Sequence, residues 1–431
     1  MMRSFPLPPA FEHRDFRLFW TGATLSQVGS QLTVVAMAWQ IYELTDSPLQ
    51  IGLLGLGRAV PQILLALVGG VMADAMDRRR LMMIIQVGQL AVSVALTLLT
   101  VAGAITPSML FAAAVVLAFG SALENPPRQA IVPNLVPPSV LSSAIALNTT
   151  QRSVAMILGP SLAGVLLALS GPAVCYGIDA ASWLVMLLAL ALVRARPLER
   201  RLALSATALL AGARFVLKQR VIFSFMLLDF GATFFGNGNA LYPIFARDIL
   251  EVGELGLGFM YAAPAVGAVI SGVIMSARPQ PRDVGKWVII GVVFYGVCTV
   301  LFAVLDVFWL VLLMLAGTGV GNTVSAVLRG TTNQLLTPDD LRGRVSAVNS
   351  AFVVGGPMLG QFRGGVMADL WGAQASGAIG GLGAILCAVA IAALPGVWRF
   401  RLDASQVPVE PGGATPAAAP PLKEGASQRD R

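Results

Sequence analysis

The stretch GGVMADAMDRRRLM, residues 69–82, concentrates charge in a chain that otherwise has little of it. Five charged residues fall within seven positions, from Asp74 to Arg80, between long runs of Leu, Ile, Val, Ala and Gly. Charged residues make up 12% of the chain and apolar residues 56%, and the mean hydropathy is +0.77. Because soluble domains contain about 25% charged residues, this balance predicts an integral membrane protein whose apolar segments are joined by short charged loops.

Apolar runs long enough to cross a hydrocarbon core as helices recur along nearly the whole chain. They lack the short alternating segments typical of a membrane β-barrel, so the sequence predicts an all-α integral membrane protein. The three cysteines and the single histidine, His13, form no metal-ligand pattern, and we expect neither a metal nor a cofactor. We count twelve spans: 17–44, 48–73, 81–102, 106–126, 139–170, 172–193, 219–247, 255–277, 284–305, 307–330, 344–371 and 373–396.

The distribution of Lys and Arg predicts the orientation of these spans. An even number of spans puts both termini on one side, and 25 of the 29 Lys and Arg residues fall in segments on that side. The opposite loops carry only Arg247. Since cytoplasmic loops are enriched in Lys and Arg, we expect a multi-pass protein of the cell (inner) membrane with both termini in the cytoplasm. The basic residues are spread over every loop of that side, so the net charge of +7 does not indicate nucleic-acid binding.

The two halves of the chain resemble each other. Residues 127–148 align with residues 328–349 at an offset of 201, which places Arg128 on Arg329 and Asn148 on Asn349. Two six-span halves joined by a basic loop are the layout of transporters built from parallel repeats. We therefore predict five parts: an N-terminal cytoplasmic segment (1–16), a first six-helix bundle (17–193), a cytoplasmic linker (194–218), a second six-helix bundle (219–396) and a disordered cytoplasmic tail rich in Pro and Ala (397–431).

At this point the chain resembles a known family. Residues 69–82 are similar to the loop between helices 2 and 3 that recurs in the major facilitator superfamily. Helix 1 and the stretch LRGRV, residues 341–345, look most like its branch of macrolide and siderophore exporters. Span 5 and its repeat in span 11 resemble the antiporter motif of efflux members, and the positions concerned are Gly159, Pro160, Gly164, Gly356, Pro357 and Gly360. The resemblance covers about residues 15–396 and implies the two-bundle major facilitator fold.

The same resemblance implies a conformational latch at the opening stretch. Gly70 lacks a side chain and permits close approach of another helix. Asp74 is expected to face the start of span 11, where Arg344 and free backbone N–H groups attract a carboxylate. The alternative is that Asp74 only ends a helix, and that Arg78, Arg79 and Arg80 only hold the loop in the cytoplasm.

Ionisable residues inside spans are costly and are functional candidates by default. Asp229 in span 7 is the first candidate for a proton carrier, and Glu124 at the end of span 4 is the second. Asp179 lies in span 6, which the resemblance places outside the cavity, and we expect a structural role. For each charge the alternative is a structural ion pair. Candidates for the substrate cavity are Gln27, Gln31, Arg58, Gln62, Asn148, Arg152, Asn237, Tyr242 and Arg363.

These observations favour a secondary active transporter that exports a small amphipathic compound, such as a drug or a siderophore, by alternating access coupled to protons. An importer on the same fold is the alternative, because fold does not fix direction. The sequence contains no paired catalytic set and no phosphate-binding loop, so we expect neither an enzyme nor a consumer of ATP. A channel is less favoured. The expected partners are the substrate, protons and the lipid bilayer, and we expect a monomer.

Overall fold

The structure, a computed structural model, describes residues 8–75, 77–193, 206–278, 281–338 and 341–402. The side chains of residues 66–75 and 206–211 lie outside that description. The latch residues Gly70 and Asp74 fall in the first of these two stretches, so only their helical backbone is described. The predicted N-terminal segment, linker and tail are described only from residue 8, from residue 206 and to residue 402 respectively.

Within these ranges the chain is helical and has no strand. The first half contains α1 (Arg14–Thr45), α2 (Pro48–Ala75), α3 (Arg78–Val101), α4 (Pro107–Ile131), α5 (Leu141–Ser170) and α6 (Pro172–Leu192). A shorter helix, α7 (Ala206–Lys218), precedes the second half. That half contains α8 (Arg220–Gly236), the short turn α9 (Tyr242–Ile244), α10 (Gly253–Ser276), α11 (Val284–Val304), α12 (Phe308–Leu336), α13 (Arg342–Trp371) and α14 (Ala373–Ala392).

Eleven of the twelve predicted spans each correspond to one helix of the structure, and span 219–247 contains α8 and α9. Nine helices of the described ranges are long and apolar enough to cross a membrane by length and composition alone. The other three long helices have evident reasons for missing that criterion. Helix α8 has only 17 residues, and α1 and α13 are the least hydrophobic of the helices that have 18 residues or more. The lower hydrophobicity of α1 and α13 indicates that these two helices line something other than lipid.

Most contacts between helices lie within one half of the chain, and fewer pairs of helices join the two halves. In the first half, α6 packs against α1 and α3, and α2 packs against α4. In the second half, α11 packs against α12 and α14, and α8 packs against α13. Two further pairs join the halves, α2 with α13 and α5 with α10. We call the end of the molecule at which α1 begins and α14 ends the terminal end, and the other the opposite end.

The predicted span 219–247 is not one continuous helix. Helix α8 stops at Gly236, and the chain becomes helical again at Tyr242. The side-chain oxygen of Asn237 accepts a hydrogen bond from the backbone N–H of Asn239 at 2.9 Å, a local bond that competes with the helix. Irregular backbone at this depth is tolerated where it lines a cavity or is buried in protein. The Asn-Gly-Asn sequence therefore breaks the span beside a cavity described below.

Candidate transport pathway

A cavity of about 480 Å³, here called cavity A, lies in the terminal half of the first bundle. Helices α1, α4 and α5 line it with polar residues, among them Gln27, Asn148 and Arg152. The guanidinium of Arg152 donates to the side-chain oxygen of Asn125 at 3.2 Å. Three of the residues predicted for a substrate cavity therefore meet in one place.

A second space of about 200 Å³, cavity B, continues from cavity A toward the middle of the molecule. The two share Gln27, Ser30, Ser121 and Trp183 in their walls. Three further predicted substrate-cavity residues, Gln31, Arg58 and Gln62, line cavity B. Gln361 of the second half, which was not predicted, also lines it. Together A and B form a polar path that begins near the terminal end and stops among α1, α2 and α13.

A third space of about 160 Å³, cavity C, lies inside the second bundle beside the break in span 7. Asn237, Asn239 and Tyr242 line it, together with Asn322 and Tyr295. The structure thus separates Asn237 and Tyr242 from the other predicted cavity residues. The hydroxyl of Tyr261 donates to the backbone carbonyl of Asn239 at 3.1 Å, which helps to satisfy the broken segment.

Arg363 closes the end of the broken helix. Its Nε donates to the carbonyl of Phe234 at 3.1 Å and its Nη2 to the carbonyl of Phe235 at 2.6 Å. These two carbonyls belong to the last turn of α8, where helical partners are missing and a cation interacts favourably with the helix dipole. Gly380 on α14 makes room, because a Cβ there would lie 2.7 Å from Arg363 Nη2. Arg363 lines none of cavities A, B and C.

Two pairs of glycines close the opposite end across the bundles. A Cβ built on Gly365 of α13 would lie 2.6 Å from the Cα of Gly52 on α2. A Cβ built on Gly164 of α5 would lie 2.7 Å from the Cα of Gly258 on α10. Real Cβ atoms do not approach this closely, so only glycine permits the helices to pack at these distances. The two contacts are related by the internal repeat, since α2 corresponds to α10 and α5 to α13.

A polar cluster lies beside these contacts at the opposite end. Arg247 Nη1 lies 2.8 Å from Asp46 Oδ1, and its guanidinium stacks 5.3 Å over the ring of Tyr42. The Tyr42 hydroxyl donates to Asp248. Tyr42 and Asp46 belong to the first half, and Arg247 and Asp248 to the second. Because Asp46 is 71% exposed, the ion pair contributes at most about 1 kcal/mol, and the glycine contacts dominate closure.

The remaining glycines of the antiporter-type motif pack within each bundle. A Cβ on Gly159 would lie 2.4 Å from Gln31 Cβ of α1. A Cβ built on Gly356 would clash with the hydroxyl of Thr233 on α8, and a Cβ built on Gly360 would clash with the backbone carbonyl of Thr233. Pro160 and Pro357 lie inside the continuous helices α5 and α13, and Pro357 lines cavity C. The motif therefore brings span 5 close to span 1, and span 11 close to span 7.

The arginines of the opening stretch bind within their own bundle. Arg78 Nη1 donates to the carbonyl of Ala130 at 3.1 Å, and Arg79 Nη2 to that of Ala191 at 2.7 Å. The backbone N–H of Arg80 donates to Asp77 at 2.9 Å, which caps α3. Arg344 packs on the linker helix α7, where a Cβ on Gly212 would lie 2.8 Å from Arg344 Cβ. The latch contact of Asp74 with span 11 stays a prediction.

The two predicted proton carriers each have a cation partner. Asp229 Oδ1 lies 2.5 Å from Arg329 Nη2, and both side chains are about 10% exposed or less. Glu124 Oε1 lies 3.7 Å from Arg128 Nη1 and accepts a bond from Gln86 at 2.9 Å.

The two arginines are the repeat-related pair, and they bind in related ways. Arg128 donates to the carbonyl of Ala23 on α1 at 2.8 Å. Arg329 lies 3.4 Å from the carbonyl of Phe225 on α8, which is the first helix of its own half. This shared arrangement indicates that both arginines hold the first helix of a bundle to its fourth.

The residues that sequence reasoning missed are Gly52, Gly258, Asp46 and Trp183. Gly258 follows Gly256 in the sequence, and Gly52 precedes Gly55 and Gly57, so composition did not single them out. Only their contacts across the bundles single them out, Gly52 with Gly365 and Gly258 with the motif glycine Gly164. Asp179 was expected outside the cavity, but it lines cavity B together with Trp183.

Known proteins support the same interpretation. The chain matches the family model described as transmembrane secretion effector over residues 6–410. Enterobactin exporter EntS of Citrobacter koseri is 29% identical over 422 residues, which cover 93% of this chain and 96% of that protein. Enterobactin exporter EntS of Salmonella typhimurium is 27% identical over 399 residues, 90% of this chain and 94% of that protein.

Solved structures show the fold. An inward-facing, occupied bacterial homologue of the lysosomal transporter Spinster has a TM-score of 0.73 at 16% identity, over 90% of this chain and 97% of that one. An inward-facing bacterial homologue of the iron transporter ferroportin has a TM-score of 0.69 at 17% identity, over 90% and 99%. The prediction of a helical transporter with twelve transmembrane helices in two bundles is confirmed. The chain is a multi-pass membrane transporter, not an enzyme, and it belongs to the transmembrane secretion effector family of the major facilitator superfamily.

Proposed function

We propose that the chain exports a siderophore-like compound from the cytoplasm by alternating access and that protons drive the cycle. The observation that carries the proposal is the asymmetry of the pathway. Glycine contacts and the Arg247 cluster close the opposite end, whereas cavities A and B extend toward the terminal end. Together with relatives named as enterobactin exporters, this arrangement fits a transporter that receives its substrate on the side of the termini.

The lining of cavities A and B supports a substrate rich in hydrogen-bond acceptors. Arg58, Arg128 and Arg152 supply cationic donors there, and Gln27, Gln31 and Gln62 supply amides. Guanidinium groups bind carboxylate and other oxygen acceptors in a planar, bidentate geometry. Apolar residues such as Met37, Leu54 and Leu117 form the rest of cavity B. A few placed polar groups in an apolar wall suit an amphipathic ligand.

The proposal also includes the orientation of the protein in the membrane, its division into two bundles and its oligomeric state. The excess of Lys and Arg on the side of the termini supports a cytoplasmic location of both termini, in a protein of the cell (inner) membrane. The proposal takes residues 17–193 and 219–396 as the two bundles and residues 194–218 as the linker between them. A monomer suffices, because both halves of the pathway belong to one chain. Asp229 and Glu124 remain candidates for proton carriage, although each has a cation partner.

Transport into inverted membrane vesicles tests the proposal. Enterobactin and a panel of anionic and cationic amphipathic compounds are offered with and without an imposed proton gradient. We expect gradient-driven uptake of enterobactin or of another oxygen-rich compound. Arg58→Gln should reduce it at least tenfold, since it removes a cationic donor from cavity B. Arg401→Gln, a change to an exposed arginine paired with Asp283, is the matched control and should transport normally. Uptake that ignores the gradient, or that Arg58→Gln leaves unchanged, would contradict the proposal.

A further inference from the structure

Three carboxylates are buried in the described part of the chain, and one of them has no cation. Glu124 is paired with Arg128, and Asp229 with Arg329. Asp179 on α6 is 1% exposed, and no basic group of the described residues lies within 4 Å of it. A buried ionised carboxylate is destabilised unless a cation compensates its charge, and uptake of a proton removes that charge. Of the three buried carboxylates, Asp179 is the one without such a cation.

The hydrogen bonds of Asp179 involve only one of its two carboxyl oxygens. The hydroxyls of Thr33 on α1 and Ser93 on α3 both donate to Oδ2, at 2.9 and 2.7 Å. The other oxygen, Oδ1, has no partner, and the nearby indole Nε1 of Trp183 has none either. An oxygen without a donor, such as Oδ1, keeps its lone pairs free and can take up a proton.

Asp179 also has access to the pathway. It lines cavity B with Trp183, Gln89 and Arg58, and cavity B continues into cavity A through Trp183. Its carboxylate lies between α1, α3 and α6, because Gly29 on α1 leaves room for it. A Cβ on Gly29 would lie 2.8 Å from Asp179 Oδ1. A proton on Asp179 can thus exchange with the cavity, and its loss changes the contacts of three helices.

Other charged groups on the packed helices are distant or act through the cavity. Along α1, Glu43 is ten residues from Thr33, about 15 Å at the rise of a helix. Along α3, Arg80 is thirteen residues from Ser93, about 20 Å. The hydroxyls bonded to the carboxylate are those of Ser93 and Thr33. The remaining titratable or charged groups of these elements and of the cavity walls are Arg14, Asp15, Arg17, Tyr42, Arg58, Arg78, Arg79, Glu124, Arg128, Arg152, Cys175 and Tyr176.

We infer that Asp179 is the proton-carrying residue of the transport cycle and that it binds and releases the proton inside the first bundle. The inference rests on the proposed proton-coupled export. Loss of the proton leaves an unpaired charge beside Thr33 and Ser93, so the two protonation states favour different arrangements of α1, α3 and α6. Binding and release of the proton then shift the equilibrium between the state that is open at the terminal end and the state that is open at the opposite end.

Infrared difference spectroscopy of the purified full chain during a pH titration tests the inference without a substrate. The carbonyl stretch of a buried, protonated carboxyl group should appear as the pH falls. Asp179→Asn should abolish that band, whereas Asp229→Asn, Glu124→Gln and the exposed control Asp283→Asn should retain it. A wild-type protein without a titrating band, or a band that survives in Asp179→Asn, would overturn the inference.

Transport in liposomes separates this inference from the proposed function. Asparagine has the shape of the neutral acid, so Asp179→Asn should keep exchange of enterobactin across the membrane but lose at least tenfold in gradient-driven accumulation. Gradient-driven accumulation at the wild-type rate in Asp179→Asn would refute the role of Asp179 and leave the proposed export intact. A band that disappears in Asp179→Asn, in a protein that moves none of the compounds, would instead support the proton site and refute the proposed substrate.

Discussion

Alanine at Gly365 or Gly164 should prevent the opposite end from closing. The added methyl at residue 365 would lie 2.6 Å from the Cα of Gly52 and 2.6 Å from the carbonyl oxygen of Pro48. Both neighbours are backbone atoms, which cannot swing aside as a flexible side chain does. Since carbon atoms pack at about 3.5–4.0 Å, α2 and α13 would have to separate by about 1 Å.

The energy of that separation sets the expected effect. Overpacking of a close contact costs about 1–3 kcal/mol. Because the contact exists only when the opposite end is closed, the whole cost falls on that state. The ratio of closed to open molecules should then fall about 5- to 150-fold. The repeat-related variant Gly164→Ala, whose methyl would lie 2.7 Å from the Cα of Gly258, should behave alike.

Distances between spin labels measure this shift directly. Labels on Leu44 and Leu370, which are exposed on the two halves near the opposite end, report its opening in a background without the native cysteines. We expect longer distances in Gly365→Ala, together with slower transport. Gly272→Ala is the matched control, because a Cβ there meets nothing within 4 Å. Unchanged distances and normal transport in Gly365→Ala would refute the view that glycine packing closes this end.

Three further predictions follow from side-chain contacts. Arg247→Ala removes only exposed interactions worth at most about 1 kcal/mol, so transport should fall less than about fivefold; a loss as large as that of Gly365→Ala would show that the charge cluster dominates closure. Arg363→Lys replaces the several N–H donors of a guanidinium by a single ammonium and should lower the free energy of unfolding by about 1–3 kcal/mol. This loss should appear as a lower Tm in detergent, and an unchanged Tm would argue that Arg363 does not cap α8. Asp229→Asn leaves Arg329 buried without its partner and should cost about 3–5 kcal/mol, whereas the double variant with Arg329→Gln should regain part of the Tm; equal Tm values for the single and double variants would refute a paired role.

Some functional residues were accessible from the sequence because their type or spacing is unusual in an apolar chain. An arginine or glutamine inside an apolar span is costly in lipid, so Arg58, Gln27 and Gln31 were predicted to lie together, and they line one cavity. The Gly-Pro pairs stood out by repetition. Gly52 and Gly258 did not, because glycine is common in this chain and only a partner helix shows which ones are required.

Charged residues illustrate the limit of such reasoning most clearly. The sequence shows that Asp229, Glu124 and Asp179 lie within or at the end of apolar spans, and it led us to rank Asp229 first, Glu124 second and Asp179 as structural. Whether a carboxylate has a cation depends on residues far away in the chain: Arg329 is 100 positions from Asp229. The hydroxyls around Asp179 come from two other helices. No local sequence pattern predicts these contacts between residues that are distant in the chain.

The sequence by itself determined that the chain crosses the membrane as helices, how many times it does so and that its halves repeat. Those properties follow from local composition and from segment length, which the thickness of a bilayer dictates. The tertiary structure decided which end is closed, which glycines close it, where span 7 breaks and which carboxylate lacks a cation. Those properties depend on distances of a few ångströms between residues remote in sequence, and only packed helices define such distances.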